Sequence, residues 1–263
     1  MSLSYFSGFD PSPQASLLND ADPEYLQAAT PSQMGVICLH GFTGVPFEVM
    51  PVAKGCQAAG IDAVVPLLPG HGYRDRDQQR QQFAAITPEI MFQAARQEIE
   101  RARERYEKVA MFGFSMGGAI ALKMAAEGRL AACAVGAPAL RLIWQAELLI
   151  PLLGWASFTL EAPRSEDFYI PGYEFHHSRA LRTLWQIGRR ARAELSHIHC
   201  PLLAVHSHSD ATIPAIATEH LQRQVPVDIE VAWFDRSNHC LALDVEAEAV
   251  VQQVTHFFQR QLG

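Results

Sequence analysis

Residues 109–127 read VAMFGFSMGGAIALKMAAE, and the fold turns on the place of Ser115 within them. Val109–Phe114 is a short apolar run with strand character, and Met116–Glu127 has the composition of a helix that stops at Gly128. A strand finishing at Phe114 and a helix beginning at Met116 leave a single residue for the reversal. That residue is Ser115, within Gly113-Phe114-Ser115-Met116-Gly117, a match to G-x-S-x-G. The spacing has a mechanical reason. Glycine two residues to either side removes the Cβ atoms that would collide as strand and helix close together. The serine hydroxyl is thereby lifted above the sheet, and the helix start turns N–H groups and partial positive charge toward it. Alone the pattern is weak; the strand before it and the helix after it give it meaning.

Outward from this corner the same alternation continues. Short apolar or β-branched runs recur at Gly35–Leu39, Asp62–Pro66, Ala132–Gly136, Leu202–His206 and Ile229–Phe234, each bounded by turn residues. Helical patterns fill the spaces at Pro46–Ala59, Glu89–Lys108 and Asp244–Gln261. The alternation predicts an α/β fold, a mostly parallel sheet flanked by helices on both faces. From about 139 to 196 no convincing strand occurs, only apolar helical pieces carrying Trp144, Trp155 and Trp185. This stretch is expected to form a small helical cap subdomain inserted within one domain spanning 1–263. The first 30 or so residues, rich in Pro, Ser and Asp, are expected to be an irregular arm.

A serine hydroxyl is a poor nucleophile near neutral pH. It needs a base, and the base needs a carboxylate to orient it. With a nucleophile at a strand-to-helix corner, the partners follow in the chain order Ser, Asp or Glu, His. His239, in Ser237-Asn238-His239-Cys240, follows the run Ile229–Phe234; Asp210, in HSHSDATIP, follows Leu202–His206. Both fall at C-terminal strand ends, the edge where open α/β sheets hold ligands. Asp210 is favoured over Asp235, which shares a strand end with His239, and over Asp244, which reads as a helix-start residue. The remaining need is an oxyanion hole. His40-Gly41-Phe42-Thr43-Gly44 follows the first buried strand, and the backbone N–H groups of Phe42 and Met116 are its expected donors. His40 is expected to shape this loop rather than act as a second base.

Composition narrows the partners. Apolar residues are 49% and charged residues 19% of the chain, enough for a large core, and the net charge is −7. That balance offers no basic field to hold nucleic acid and no Lys/Arg cluster to dock on anionic lipid, so neutral or apolar small molecules fit better. Cys38, Cys56, Cys133, Cys200 and Cys240 lie far apart and are odd in number, which points to reduced thiols and a cytoplasmic location. The start, MSLSYFSGFDPSPQ, lacks the pattern of a signal peptide. Leu142–Leu160 is apolar but carries Gln145 and Glu147 and is broken by Pro151 and Gly154, so stable membrane insertion is not expected. The pairs His197/His199 and His206/His208 lack the companions of a zinc site, and neither metal nor cofactor is expected. His176-His177 is expected at the surface. Trp144, Leu148, Leu149, Trp155 and Phe158 are either core or the lining of an acyl pocket.

Taken together, HGFTG, the LPGHG at 68–72, GFSMGG, SHSDATIP and SNHCLALD occur in the order seen in bacterial carboxylesterases and monoacylglycerol lipases of the α/β-hydrolase fold. The chain resembles that family from about Gly35 onward. The resemblance implies Ser115 as nucleophile, His239 as base, Asp210 as acid, Phe42 and Met116 as oxyanion donors, and a small cap over an elongated acyl pocket. The expected activity is cleavage of carboxylic esters with short to medium acyl chains through an acyl-enzyme. A thioesterase or lactonase using the same triad and a non-catalytic binding module are the alternatives. The long N-terminal arm and the divergent cap depart from the family pattern, so no alcohol-binding residue carries over.

Overall fold

The computed structural model describes residues 16–163 and 168–263. Its strands are β1 (Glu24–Leu26), β2 (Met34–Leu39), β3 (Asp62–Val65), β4 (Lys108–Phe114), β5 (Ala132–Gly136), β6 (Thr159–Glu161), β7 (Phe175–His177), β8 (Leu202–Ser207) and β9 (Ile229–Phe234). The α-helices are α1 (Met50–Ala58), α2 (Arg76–Ala84), α3 (Pro88–Arg103), α4 (Met116–Ala126), α5 (Trp144–Leu153), α6 (Ser178–Ala193), α7 (Ile216–Gln224) and α8 (Ala247–Leu262). Among the described residues the main sheet has the order β1-β3-β2-β4-β5-β8-β9. Every pairing in it is parallel except β1 with β3.

Both faces of the sheet are covered, and the strands show why. Ile37 and Leu39 of β2 join the core on one side, with Met91 and Ile99 of α3, Ile120 of α4 and Ile187 of α6. The intervening Val36 and Cys38 point to the other side, against Val52 of α1 and Val254 and Phe258 of α8. Alternation over two buried faces makes each strand read as a continuous apolar run. The parallel registers also align strand ends. Leu39 lies opposite Gly113, Phe114 opposite Gly136, and Ser207 opposite Phe234. The loops after β2, β4, β8 and β9 therefore leave from one edge of the sheet.

Five differences from the sequence expectations have physical reasons. The N-terminal arm contains β1, which pairs with β3 and is held where Tyr25 donates to Asp62 (2.7 Å). Stretch 139–196 contains strands, the antiparallel pair β6 and β7, each too short to show a period. Helix α2, RDQQRQQFA, buries little beyond Gln79 and Phe83 and so lacks an apolar stripe. Helix α7 spans nine residues with only Ala217, Thr218 and Leu221 buried. Helix α6 lies in the main helical layer: Ala180, Ile187 and Ala191 are core residues, and Gly188 packs against the Ala139 carbonyl. Among the described residues no helix is long and apolar enough to cross a membrane.

Candidate active site

Ser115 caps the N-terminus of α4 with φ 52° and ψ −112°, a conformation that costs an ordinary residue about 1–3 kcal/mol. Its surroundings enforce it. The Ser115 N–H donates to the Gly136 carbonyl (2.9 Å), and its own carbonyl accepts from Ala119 (3.1 Å) and Ala139 (2.9 Å). A Cβ on Gly113 would overlap the Gly117 carbonyl, and one on Gly117 would overlap the Leu39 carbonyl. The two flanking glycines thus do different things: Gly113 lets strand and helix meet, and Gly117 seats α4 on the end of β2. The second contact brings the HGFTG loop beside Ser115.

The three residues read as nucleophile, base and acid come together from three strand ends. His239 Nε2 lies 3.0 Å from Ser115 Oγ, and His239 Nδ1 lies 2.8 Å from Asp210 Oδ2. An ionised carboxylate only accepts, so Nδ1 carries the hydrogen and Nε2 presents a lone pair to the serine hydroxyl. Burial works against the Asp210 charge, but hydrogen bonds from His206, His239 and the Ile213 N–H outweigh it and hold the carboxyl well below the usual carboxylate range. Its Oδ1 accepts from the N–H groups of Thr212 (2.8 Å) and Ile213 (2.9 Å). Asp235 and Asp244 lie elsewhere in the arrangement. The Asp235 carbonyl accepts from Ser209, and Asp244 accepts from the Asn238 N–H (2.6 Å), bracing the histidine loop from outside. Glu246 braces it too, accepting from the Ser237 N–H (2.8 Å) and hydroxyl (2.9 Å).

The HGFTG loop is held by His40, as the sequence suggested, and by Glu48 and Tyr173, which the sequence did not single out. Glu48, buried in the turn before α1, accepts from the Gly41 N–H (2.8 Å), and a Cβ on Gly44 would overlap its carboxylate. His40 is fully buried; it accepts from the Leu68 N–H at Nε2 (3.0 Å) and faces the Gly41 carbonyl with Nδ1 (3.0 Å). Burial, helped by neighbouring His71, drives its pKa well down, so the ring is neutral and ties two loops together. Tyr173 completes the tie: its N–H donates to Thr43 (2.8 Å), and its hydroxyl donates to Gly70 (3.0 Å). The LPGHG segment is thereby part of the scaffold behind the HGFTG loop. Phe42 follows Gly41, and Met116 is the first residue of α4, where a helix leaves N–H groups without intrahelical partners.

Ser115, His239 and Phe42 open onto a cavity of about 620 Å³ with largely apolar walls. Of the five residues considered for an acyl pocket, Leu149 and Phe158 line it. Trp144, Leu148 and Trp155 do not; they are 72%, 59% and 69% exposed. The helical period separates them. Ala146, Leu149, Ile150 and Leu153 form the inner stripe of α5, while Trp144, Leu148 and Leu152 fall on its outer side. The sequence missed this because both sides of α5 are apolar. His176 and His177 are not at the surface as expected. His176 lines the cavity, its ring 5.8 Å from that of Phe42, and His177 is buried as the cap of α6, accepting from Arg179 (3.2 Å). His206 and His208 both stack on Trp233 rather than face a common point.

A serine at a strained strand-to-helix turn, paired with a histidine and a buried aspartate on the C-terminal edge of a parallel sheet, is the arrangement of a nucleophilic hydrolase. The chain belongs to the alpha/beta hydrolase family, whose profile matches residues 36–253. It is similar to a thermostable monoacylglycerol lipase of Bacillus sp. (strain H-257), at 25% identity covering 96% of this chain and 100% of that protein. It is also similar to a carboxylesterase of Bacillus subtilis (strain 168), at 23% identity over 86% of this chain and 92% of that one. A solved structure from the metagenome-derived lipolytic enzymes LipS and LipT superposes with a TM-score of 0.84, at 26% identity over 93% of this chain and 100% of that one.

Proposed function

We propose that the protein hydrolyses carboxylic esters with short to medium acyl chains, with Ser115 as nucleophile, His239 as base and Asp210 as its orienting acid. The observation that carries this is the chain of contacts from Asp210 to His239 (2.8 Å) to Ser115 (3.0 Å), opening onto an apolar cavity. His239 takes the hydroxyl proton as Ser115 Oγ bonds to the acyl carbon. Negative charge then develops on the carbonyl oxygen, and the N–H groups of Phe42 and Met116 are the donors for it. His239 returns the proton to the departing alcohol oxygen, leaving an acyl-Ser115 ester. Water, deprotonated by the same imidazole, attacks that ester; as the bond to Ser115 Oγ breaks, His239 returns the proton to that oxygen and the acid is released.

The cavity favours the acyl half. Its volume lies in the range of pockets that enclose small organic ligands, and Leu149, Ile150, Leu153 and Phe158 offer nothing for a polar chain to bond. We assign α5 and the β6–β7 pair to a cap over the acyl chain. The similarity to a monoacylglycerol lipase and a carboxylesterase supports the reaction class. The cysteines stand as thiols, four of them buried, which suits a reducing compartment such as the cytoplasm.

Initial rates on p-nitrophenyl esters of two to twelve carbons, with the matched thioesters alongside, test the proposal. The expected result is turnover of the oxygen esters by the wild type and its loss in Ser115→Ala. Equal rates in the two proteins contradict it, and a clear preference for sulfur esters would make the protein a thioesterase.

A further inference from the structure

His206 is a fully buried titratable side chain for which the proposed reaction has no step. It sits on β8, four residues before Asp210, and its ring is held on every side. Nδ1 lies 2.7 Å from Thr218 Oγ1 on α7. Nε2 lies 3.1 Å from the Ile213 carbonyl oxygen and 3.3 Å from Asp210 Oδ2. One face stacks on Trp233 of β9, with ring centroids 5.6 Å apart and planes 14° apart.

The neighbours settle which nitrogen carries hydrogen. A carbonyl oxygen and a carboxylate oxygen are both acceptors, so Nε2 must be an N–H. Thr218 can donate or accept and suits Nδ1 in either state. The N–H at Nε2 is thus shared between the Ile213 carbonyl, its nearer acceptor, and the same Asp210 oxygen that His239 uses. Ile213 in turn gives its own N–H to Asp210 Oδ1 (2.9 Å). His206 therefore grips the turn at 210–213 twice, at the carboxylate and at the residue that supports its other oxygen.

We propose that His206 is a positioning residue for the hydrolytic reaction: through its Nε2 hydrogen it fixes the Asp210 carboxylate that orients His239. The inference rests on the assignment of Asp210 and His239 above. Two imidazoles on one carboxylate oxygen divide its charge, so His206 also limits how strongly Asp210 pulls on the proton at His239 Nδ1. The titratable groups in contact with Asp210 are His206 from β8 and His239 from the loop after β9. The elements packed on the His206 ring present Thr218 and Trp233, which do not titrate near neutrality.

Two variants test this in the full-length protein, His206→Phe and His206→Gln. Phenylalanine keeps the ring and its stacking on Trp233 but has no donor; glutamine keeps an N–H at a similar reach. Rates on a p-nitrophenyl ester are measured from pH 5 to 9, with thermal unfolding as the check on folding. His206→Phe is expected to lower kcat roughly tenfold, the scale of one lost charge-assisted hydrogen bond, with KM within about twofold. The acidic limb of its kcat/KM profile is expected to move to higher pH, since an undivided carboxylate charge favours imidazolium. His206→Gln is expected to restore most of kcat and the wild-type limb. The proposal is overturned if folded His206→Phe keeps wild-type kcat and limb. It is equally overturned if both variants lose activity alike with the limb unmoved. Failure of the underlying assignment looks different: the wild type itself would not depend on Ser115.

Discussion

The N–H of Gly41 donates to the Glu48 carboxylate at 2.8 Å, inside the protein and directly behind the loop that carries Phe42. That bond holds the His40–Gly41 peptide, the one next to the peptide that carries the Phe42 N–H proposed as an oxyanion donor. Gly44 is required because the same carboxylate occupies the space of its missing Cβ. Glu48→Ala is expected to lower kcat by roughly tenfold to a hundredfold, the loss seen when one oxyanion donor is misplaced, with KM little changed. Glu48→Gln, which keeps an acceptor of the same size, should fall less. Equal and wild-type-like kcat in both variants would show that the loop holds its shape without this residue.

The cavity wall predicts chain-length selectivity. Leu149 faces the cavity, so Leu149→Trp fills part of it and should shift preference from twelve-carbon toward two- and four-carbon esters. Trp144 lies on the outer side of the same helix at 72% exposure, and Trp144→Ser should leave the preference unchanged. The ratio of kcat/KM for the longest and shortest p-nitrophenyl esters measures both. An unchanged ratio in Leu149→Trp would place the acyl chain elsewhere.

Stability should fall on mild acidification because of His71. Burial lowers its pKa from 6.5 to about 4; Nδ1 faces the Pro69 carbonyl, and Nε2 is buried without a hydrogen-bond partner among the described residues. Between these values the unfolded chain takes up a proton that the folded protein refuses. The stability this group allows above pH 6.5 is therefore lost as pH falls toward 4. By pH 5 the loss from this group is about 2 kcal/mol relative to pH 7.5. Urea unfolding of the wild type and His71→Phe at the two pH values checks it. A smaller decline in the variant is expected; an identical decline would assign the acid sensitivity to other groups, His40 first among them.

Asp210→Asn separates orientation from mere packing. Asparagine matches aspartate in size but presents an amide, which favours the wrong imidazole tautomer at His239. kcat is expected to fall by about 10⁴ with substrate affinity largely retained. A fall of less than about tenfold would mean that another carboxylate orients the base.

The fold was legible wherever burial leaves a period. Residues 35–39, 109–114, 132–136 and 202–206 read as strands because each is apolar on two buried faces; 229–234, half-buried at the sheet edge, reads so because it is a short, largely apolar run, and all five are bounded by turn residues. β1, β6 and β7 were not legible, being three residues each and held by pairing rather than by an apolar pattern. Ser115, Asp210 and His239 were legible as candidates because nucleophilic chemistry restricts both their types and their places at strand ends. Glu48 was not: an acid in the first turn of a helix reads as an ordinary complement to the helix dipole, and only the folded loop shows that it points inward. His206 was hidden likewise, since a histidine two residues from another suggests a metal pair before it suggests a prop for an aspartate. The inner and outer sides of α5 were indistinguishable because both are apolar, with Leu149, Ile150 and Leu153 inside and Trp144, Leu148 and Leu152 outside.

Covalent labelling with a fluorophosphonate, followed by peptide mass spectrometry, bears most directly on whether Ser115 is an activated nucleophile. The account predicts one phosphonyl adduct on the peptide containing Ser115, none in Ser115→Ala, and greatly slowed labelling in His239→Ala. No adduct on the folded wild type, or an adduct on a different serine, would contradict it.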